Sequence, residues 1–156
     1  MTGSNSQILL TKDGFKKLKD ELKHREGELR SKLQETLNQM RSQGDLREND
    51  GYTIAIDDFQ NNEVKILSIK DTLGKAVIVD KKKTSTVELG SKVTIECGKG
   101  NMRTYFLVGE SEANPMEFKI SYKSPIGSSL VGKRKGSKVT IETPSGKTEC
   151  KIISIE

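Results

Sequence analysis

Asp45 and Glu48 are the two side chains whose type and spacing could do chemistry. They stand three residues apart in Gly44-Asp45-Leu46-Arg47-Glu48-Asn49, and if a helix has begun by then, that interval puts both on one face. Two carboxylates on a face suit a hard cation such as Mg²⁺. They hold it weakly, because that ion keeps several waters and wants further ligands. The pair is therefore half of a site. Asp45 alone is explained as well by helix capping, but a hairpin turn needs only Gly, Asn or Ser, so two carboxylates there ask for a further reason.

The elements that must position the pair are two helices. Leu10-Thr11-Lys12-Asp13-Gly14-Phe15 is a helix start: Thr11 caps, Asp13 complements the positive end of the dipole, and Leu10 and Phe15 occupy the hydrophobic-staple positions. The apolar stripe then runs Phe15, Leu18, Leu22, Leu29, Leu33, Leu37 and Met40. Arg25 interrupts it, and Gly27 weakens the helix locally. After the turn, Tyr52, Ala55, Phe59, Asn62, Ile66, Ile69 and Leu73 recur at steps of three and four, the seam of a coiled coil. Folding one helix on the other sets Leu37 near Ala55 and Leu33 near Phe59. It sets Asn62 opposite Arg30, as a polar layer that costs stability and fixes register. Gly74 supplies the helix stop.

Beyond Gly74 the period changes. Ala76–Val79 reads as a linker strand. Lys92–Cys97, Arg103–Val108, Phe118–Tyr122, Lys138–Thr143 and Thr148–Ile155 then show strand patterns, separated by turns such as Gly98-Lys99-Gly100-Asn101 and Pro144-Ser145-Gly146. Ser124-Pro125 is a capped helix start and Gly132 a stop, which predicts a short helix over Pro125–Val131. The expected fold is α+β: a long antiparallel coiled-coil hairpin over 1–75, then a small antiparallel-sheet domain with one short helix over 76–156.

Composition agrees with that division. Of 156 residues, 32% are apolar and 31% charged, with no Trp, three Tyr and four Phe, which suits small cores and much exposed surface. The net charge of +5 is unevenly placed. Thr11–Gln43 and the stretch from Lys81 onward carry a basic excess, whereas Gly44–Gly74 is acidic, which predicts a cation near the turn and nucleic acid or a mixed-charge partner elsewhere. The basic runs Lys81-Lys82-Lys83 and Lys133-Arg134-Lys135 lack interleaved aromatics and read as solvated loops. Cys97 and Cys150 form no Cys-x-x-Cys pair and His24 is the one histidine, so no zinc site is expected. Met1–Gln7 is polar, and no apolar run approaches membrane-spanning length. The expected location is the cytoplasm, with both thiols reduced.

The string GDLREN, flanked by Arg41 and Tyr52, resembles the tip signature of the GreA/GreB family of bacterial transcript-cleavage factors. SPIGSSLVG, from Ser124 to Gly132, resembles that family's second signature, in its globular domain. The two stand in the family's order, and the resemblance covers nearly the whole chain. It implies that the hairpin enters the secondary channel of bacterial RNA polymerase, while the FKBP-like globular domain docks on the channel rim. Asp45 and Glu48 would then be the catalytic pair, holding Mg²⁺ jointly with polymerase for cleavage at the 3′ end of backtracked nascent RNA. By this resemblance the chain is not a free-standing enzyme, and neither a membrane nor a small-molecule substrate is implied.

Three more residues take roles from the resemblance. Arg41 matches a basic position that could contact RNA phosphate, with a solvated arginine as the equal alternative. Tyr52 matches an aromatic near the reactive end of the RNA, although its place on the seam argues first for packing. Asn49 organises the turn and the second helix start. The sequence departs from the family at Gly51, where many members carry glutamate or alanine, and at Ile56, where a basic residue is common. Both departures fall nearest the RNA, so the alternative is a related channel-binding regulator or inhibitor without cleavage activity. A third, weaker reading is an independent prolyl isomerase or nucleic-acid-binding protein.

Overall fold

The structure, a computed structural model, describes residues 6–80 and 85–156. It divides into two compact units: a hairpin, Phe15–Lys75, and a globular unit holding the described residues up to Gly14 together with those from Ala76 to Glu156. The residues before Phe15 thus belong with the carboxy-terminal half, whereas the sequence had grouped them with the hairpin. The reason is β1 (Ile8–Leu10), a strand that the sequence did not announce. It pairs in parallel with β2 (Ala76–Ile78), Ile8 opposite Ala76 and Leu10 opposite Ile78. Leu10 is fully buried.

Helix α1 (Lys12–His24) begins within the globular unit, and its first turn is doubly capped. The Gly14 N–H donates to Thr11 Oγ1 at 3.0 Å. Thr11 in turn donates its N–H and its hydroxyl to the Glu112 carboxylate, at 3.0 and 2.5 Å. Gly14 is required by this arrangement: a Cβ there would lie 1.9 Å from Glu112 Oε1. No local pattern links Thr11 to Glu112, so the contact is invisible to sequence reading.

In the hairpin, α1 runs through a π turn (Arg25–Leu29) into α2 (Arg30–Arg41) and returns as α3 (Asp50–Lys75). Leu37, Ala55, Ile66 and Ile69 are buried, while Leu33, Met40, Tyr52 and Phe59 are half-buried, as two facing stripes require. The interruption at Arg25 and Gly27 is where the wide turn forms. The polar layer differs from the expectation. Asn62 meets Arg25, not Arg30: its Nδ2 donates to the Arg25 carbonyl at 3.1 Å, and Arg25 Nη1 donates to its Oδ1 at 3.3 Å. Arg30 instead makes a two-pronged pair with Glu63, both contacts at 2.7 Å. The π turn accounts for the change, since its extra residue moves Arg30 around the helix relative to an uninterrupted α-helical count.

The five strands of the main sheet are ordered β5-β4-β3-β7-β6. They are β3 (Lys92–Cys97), β4 (Asn101–Val108), β5 (Lys119–Ser121), β6 (Lys138–Thr143) and β7 (Gly146–Ile155). Hairpins join β3 to β4 and β6 to β7, and β3 pairs antiparallel with β7. One pair departs from the antiparallel expectation: β5 lies parallel to β4, because two 3₁₀ turns, Glu110–Glu112 and Pro115–Glu117, carry the chain back before it re-enters the sheet. Helix α4 (Pro125–Leu130) starts as expected, with Ser124 Oγ accepting from the Gly127 N–H. Leu130 joins Val87, Val93, Ile95, Leu107, Val139, Ile141 and Ile152 in one buried cluster.

The expectation of two reduced thiols is corrected. Register sets Cys97 directly opposite Cys150 on β3 and β7, with Cα atoms 4.2 Å apart, and the two form a disulfide. Each cysteine had been weighed for a metal; it is the strand pairing that joins them. The run Lys81-Lys82-Lys83 lies outside the described residues. Lys133, Arg134 and Lys135 are exposed, as expected of a loop. Among the described residues, no helix is long and apolar enough to cross a membrane.

Candidate functional site at the hairpin turn

The turn between α2 and α3 is built by Asn49. Its Oδ1 accepts the Tyr52 N–H at 3.0 Å, which is the capping geometry of a helix start, and its Nδ2 donates to the Met40 carbonyl at 3.0 Å. One side chain therefore begins α3 and ties it to the end of α2. Gly44 has φ +132°, a backbone conformation that an L side chain resists, so the chain can leave α2 sharply only with glycine here.

Asp45 and Glu48 both lie inside this turn, and α3 begins only at Asp50. Their common face is therefore not a helical face, as the three-residue interval had suggested. Asp45 Oδ1 accepts the Arg47 N–H at 3.0 Å, an Asx turn that folds the loop on itself. Among the described residues, no further hydrogen bond or ion pair engages Asp45, and none engages Glu48. Both side chains are exposed. Two exposed carboxylates at a fixed turn can offer a cation some of its ligands. Among the described residues no group of three or more His, Cys, Asp or Glu gathers to complete such a site, so the remaining ligands would come from a partner or from water.

Arg41 ends α2 and is exposed beside the turn. Tyr52 is half-buried on the first turn of α3, where its N–H donates to the Asn49 cap. Gly51, one of the two departures, has a local explanation. A Cβ there would lie 3.1 Å from Met40 Sδ and 3.2 Å from Asn49 Oδ1, so glycine leaves room for the Asn49 cap and the Met40 side chain. Ile56 is half-buried on α3 and offers no charge to a phosphate. Sequence reading had singled out Asn49 for the turn but not its partner, the Met40 carbonyl, because backbone acceptors carry no signature.

Electrostatics away from the turn stabilise the hairpin. The two-pronged hydrogen bond to Glu63 holds the Arg30 guanidinium above its ordinary pKa, and the same bond holds the Glu63 carboxyl below the usual range. Lys70 pairs with Glu26 at 2.5 Å, and Arg25 Nε with Glu21 at 2.7 Å.

Comparison with known proteins places these features. Residues 8–78 match the family described as transcription elongation factor, N-terminal, and residues 81–156 match transcription elongation factor, GreA/GreB, C-term. The transcription elongation factor GreA of Geobacillus kaustophilus is 38% identical, covering 98% of this chain and 99% of its own. The GreA of Bacillus cereus is 39% identical, covering 94% and 95%. Among solved structures, the GreA factor homolog 1 (Gfh1) protein of Thermus thermophilus is 29% identical, covering 96% and 99%, with a TM-score of 0.45, too low to compare how elements are placed. With both halves matched in order and the two signatures each at a structured turn or helix start, this chain belongs to the GreA/GreB family of transcription elongation factors.

Proposed function

We propose that this elongation factor acts by inserting the Phe15–Lys75 hairpin into the secondary channel of RNA polymerase and stimulating cleavage of backtracked nascent RNA at its 3′ end. The observation that carries this reading is the turn itself. Asn49 fixes it, and it presents the exposed carboxylates of Asp45 and Glu48. Asp45 and Glu48 are the residues that would share a Mg²⁺ ion with polymerase, whose own side chains complete the shell. Held between these carboxylates and polymerase, the ion would supply activation of water and charge stabilisation for phosphodiester hydrolysis. This chain would contribute the orientation of two carboxylates, and Arg41, exposed at the end of α2, would meet RNA phosphate. The seat of this activity is the bacterial cytoplasm.

Ile56 favours one competing reading. A half-buried isoleucine forgoes the phosphate contact that a basic residue would make, as suits a protein that occupies the channel and modulates polymerase without cleavage. Stalled, end-labelled elongation complexes separate the two. Shortened transcripts on addition of the protein support cleavage. Absence of shortening, with competition against an authentic cleavage factor, would establish the regulator instead.

A further inference from the structure

Asn62 is the anomaly of the seam. It is 3% exposed among apolar rungs, and a buried amide is destabilising unless its donor and acceptor find partners. Here both ends are satisfied by one residue of the opposite helix. The Asn62 amide donates to the Arg25 carbonyl and accepts from the Arg25 guanidinium. Arg25 is also the first residue of the π turn, where the Arg30 N–H reaches back five residues to the same carbonyl. A widened turn leaves a backbone acceptor open to a lateral donor, which a regular helix conceals behind its own ladder. Arg25 is steadied further by Glu21, through Nε at 2.7 Å.

This geometry discriminates between registers in a way that the apolar rungs do not. A slip by one repeat would still set apolar residues against apolar residues. It would, however, withdraw Asn62 from the Arg25 carbonyl of the π turn and bury its amide unpaired. A polar residue at a single seam position specifies register in this manner, at a cost in stability. The register matters at the turn, about 20 Å along α3 from Asn62, because Asn49 must find the Met40 carbonyl for the loop carrying Asp45 and Glu48 to keep its shape.

We propose that Asn62, seated on the Arg25 carbonyl of the π turn, is a positioning residue that locks the hairpin in the one register presenting Asp45 and Glu48 correctly. The consequence for activity rests on the cleavage reading given above; the register lock itself does not. Asn62→Leu should yield a hairpin that melts no lower than the parent, since an apolar residue replaces a polar one on the seam. It should also be less uniform. Spin labels attached through non-natural residues at the exposed positions Gln39 and Asp57 should report one distance in the parent and a displaced or broadened distribution in Asn62→Leu. Stimulated RNA cleavage should fall roughly ten-fold or more, as misplacement by an ångström or so can cost, while competition for polymerase persists. Arg25→Met keeps the backbone carbonyl and should be much milder.

A single parental distance in Asn62→Leu, with undiminished cleavage, would overturn the proposal. So would Arg25→Met as severe as Asn62→Leu, because the charge pair and not the carbonyl would then carry the lock. Should the parent itself fail to stimulate cleavage, the proposed function falls, and the distance distributions alone decide the lock.

Discussion

The hairpin and the globular unit are held together by different means. The hairpin buries a seam one residue deep, with Leu37, Ala55, Asn62, Ile66 and Ile69 as its buried positions outside the first turn of α1. Ion pairs flank it at Arg30–Glu63 and Glu26–Lys70. The globular unit instead closes a contiguous core around Val93, Ile95, Leu107, Leu130 and Ile152, and links two adjacent strands covalently through Cys97 and Cys150. A narrow seam can be made from many registers, so polar pairs must choose among them. A core enclosed by sheet and helix has little such freedom, because shifting a strand by one residue turns its buried side chains outward. Stability is concentrated in one region and specificity of alignment in the other.

The sharpest test uses the two carboxylates of the turn, both exposed and outside either core. Asp45→Asn or Glu48→Gln should reduce stimulated cleavage by roughly two orders of magnitude or more, on the scale of removing a catalytic electrostatic group. Thermal unfolding and competition for polymerase should stay at parental values. A parallel loss of competition would show that the turn contributes to docking.

Next in size is the covalent link. Replacing both Cys97 and Cys150 by serine should destabilise the globular unit by about 4 kcal/mol, the loop-closure value for a cross-link of this span. Urea titration read by helical circular dichroism should leave the hairpin transition unmoved. A common shift of both transitions would mean that the two regions unfold as one.

Truncations within each core compare them directly. Ile152→Ala, at a fully buried position, should cost toward the upper end of about 2–5 kcal/mol, and Leu37→Ala, at the edge of a seam, toward the lower end. The reverse order would show that the hairpin, not the sheet, is the better packed.

The smallest effect separates the regions by pH. Glu63 has its pKa lowered by Arg30, so its contribution is complete above its ordinary value of 4.5 and disappears as pH falls through the depressed value. Lys123 in the globular unit has its pKa raised, first by its hydrogen bond to Glu110. Its contribution is complete below 10.5 and is lost as pH rises through the elevated value. Acid should therefore soften the hairpin and alkali the globular unit, each slightly, since these are exposed pairs. Hydrogen exchange across a pH series resolved by region would show whether the losses are so divided.

Much of this was legible in the sequence because it depends on local pattern. Lys92–Cys97 and Lys138–Thr143 appear as strands with the expected limits, and Ser124 caps the short helix as its Pro125 neighbour implied. The facing stripes follow from spacing alone. What escaped depends on contacts between distant residues. Strand β1 is three residues long and exists through its pairing with β2. Glu112 caps a helix about a hundred positions away. The Cys97–Cys150 link requires knowing that β3 lies beside β7. At the turn, Asn49 could be read as an organiser, but the start of α3 at Asp50 and the Asx turn at Asp45 needed the backbone. A single residue added to the helix by a π turn is equally silent, and with it the Asn62 partner is Arg25 in place of Arg30.

The pairing of β1 with β2 has a consequence for how such a protein can change. Two adjacent parallel strands must be joined by a crossover, and here everything from Thr11 to Lys75 serves as that connection. The hairpin is in this sense a cassette, entered and left at neighbouring points of a domain whose own core it does not supply. Its charge, its turn and its internal alignment are free to diverge through recombination or design while the sheet stays the same. New regulators could arise by exchanging one uninterrupted segment of chain.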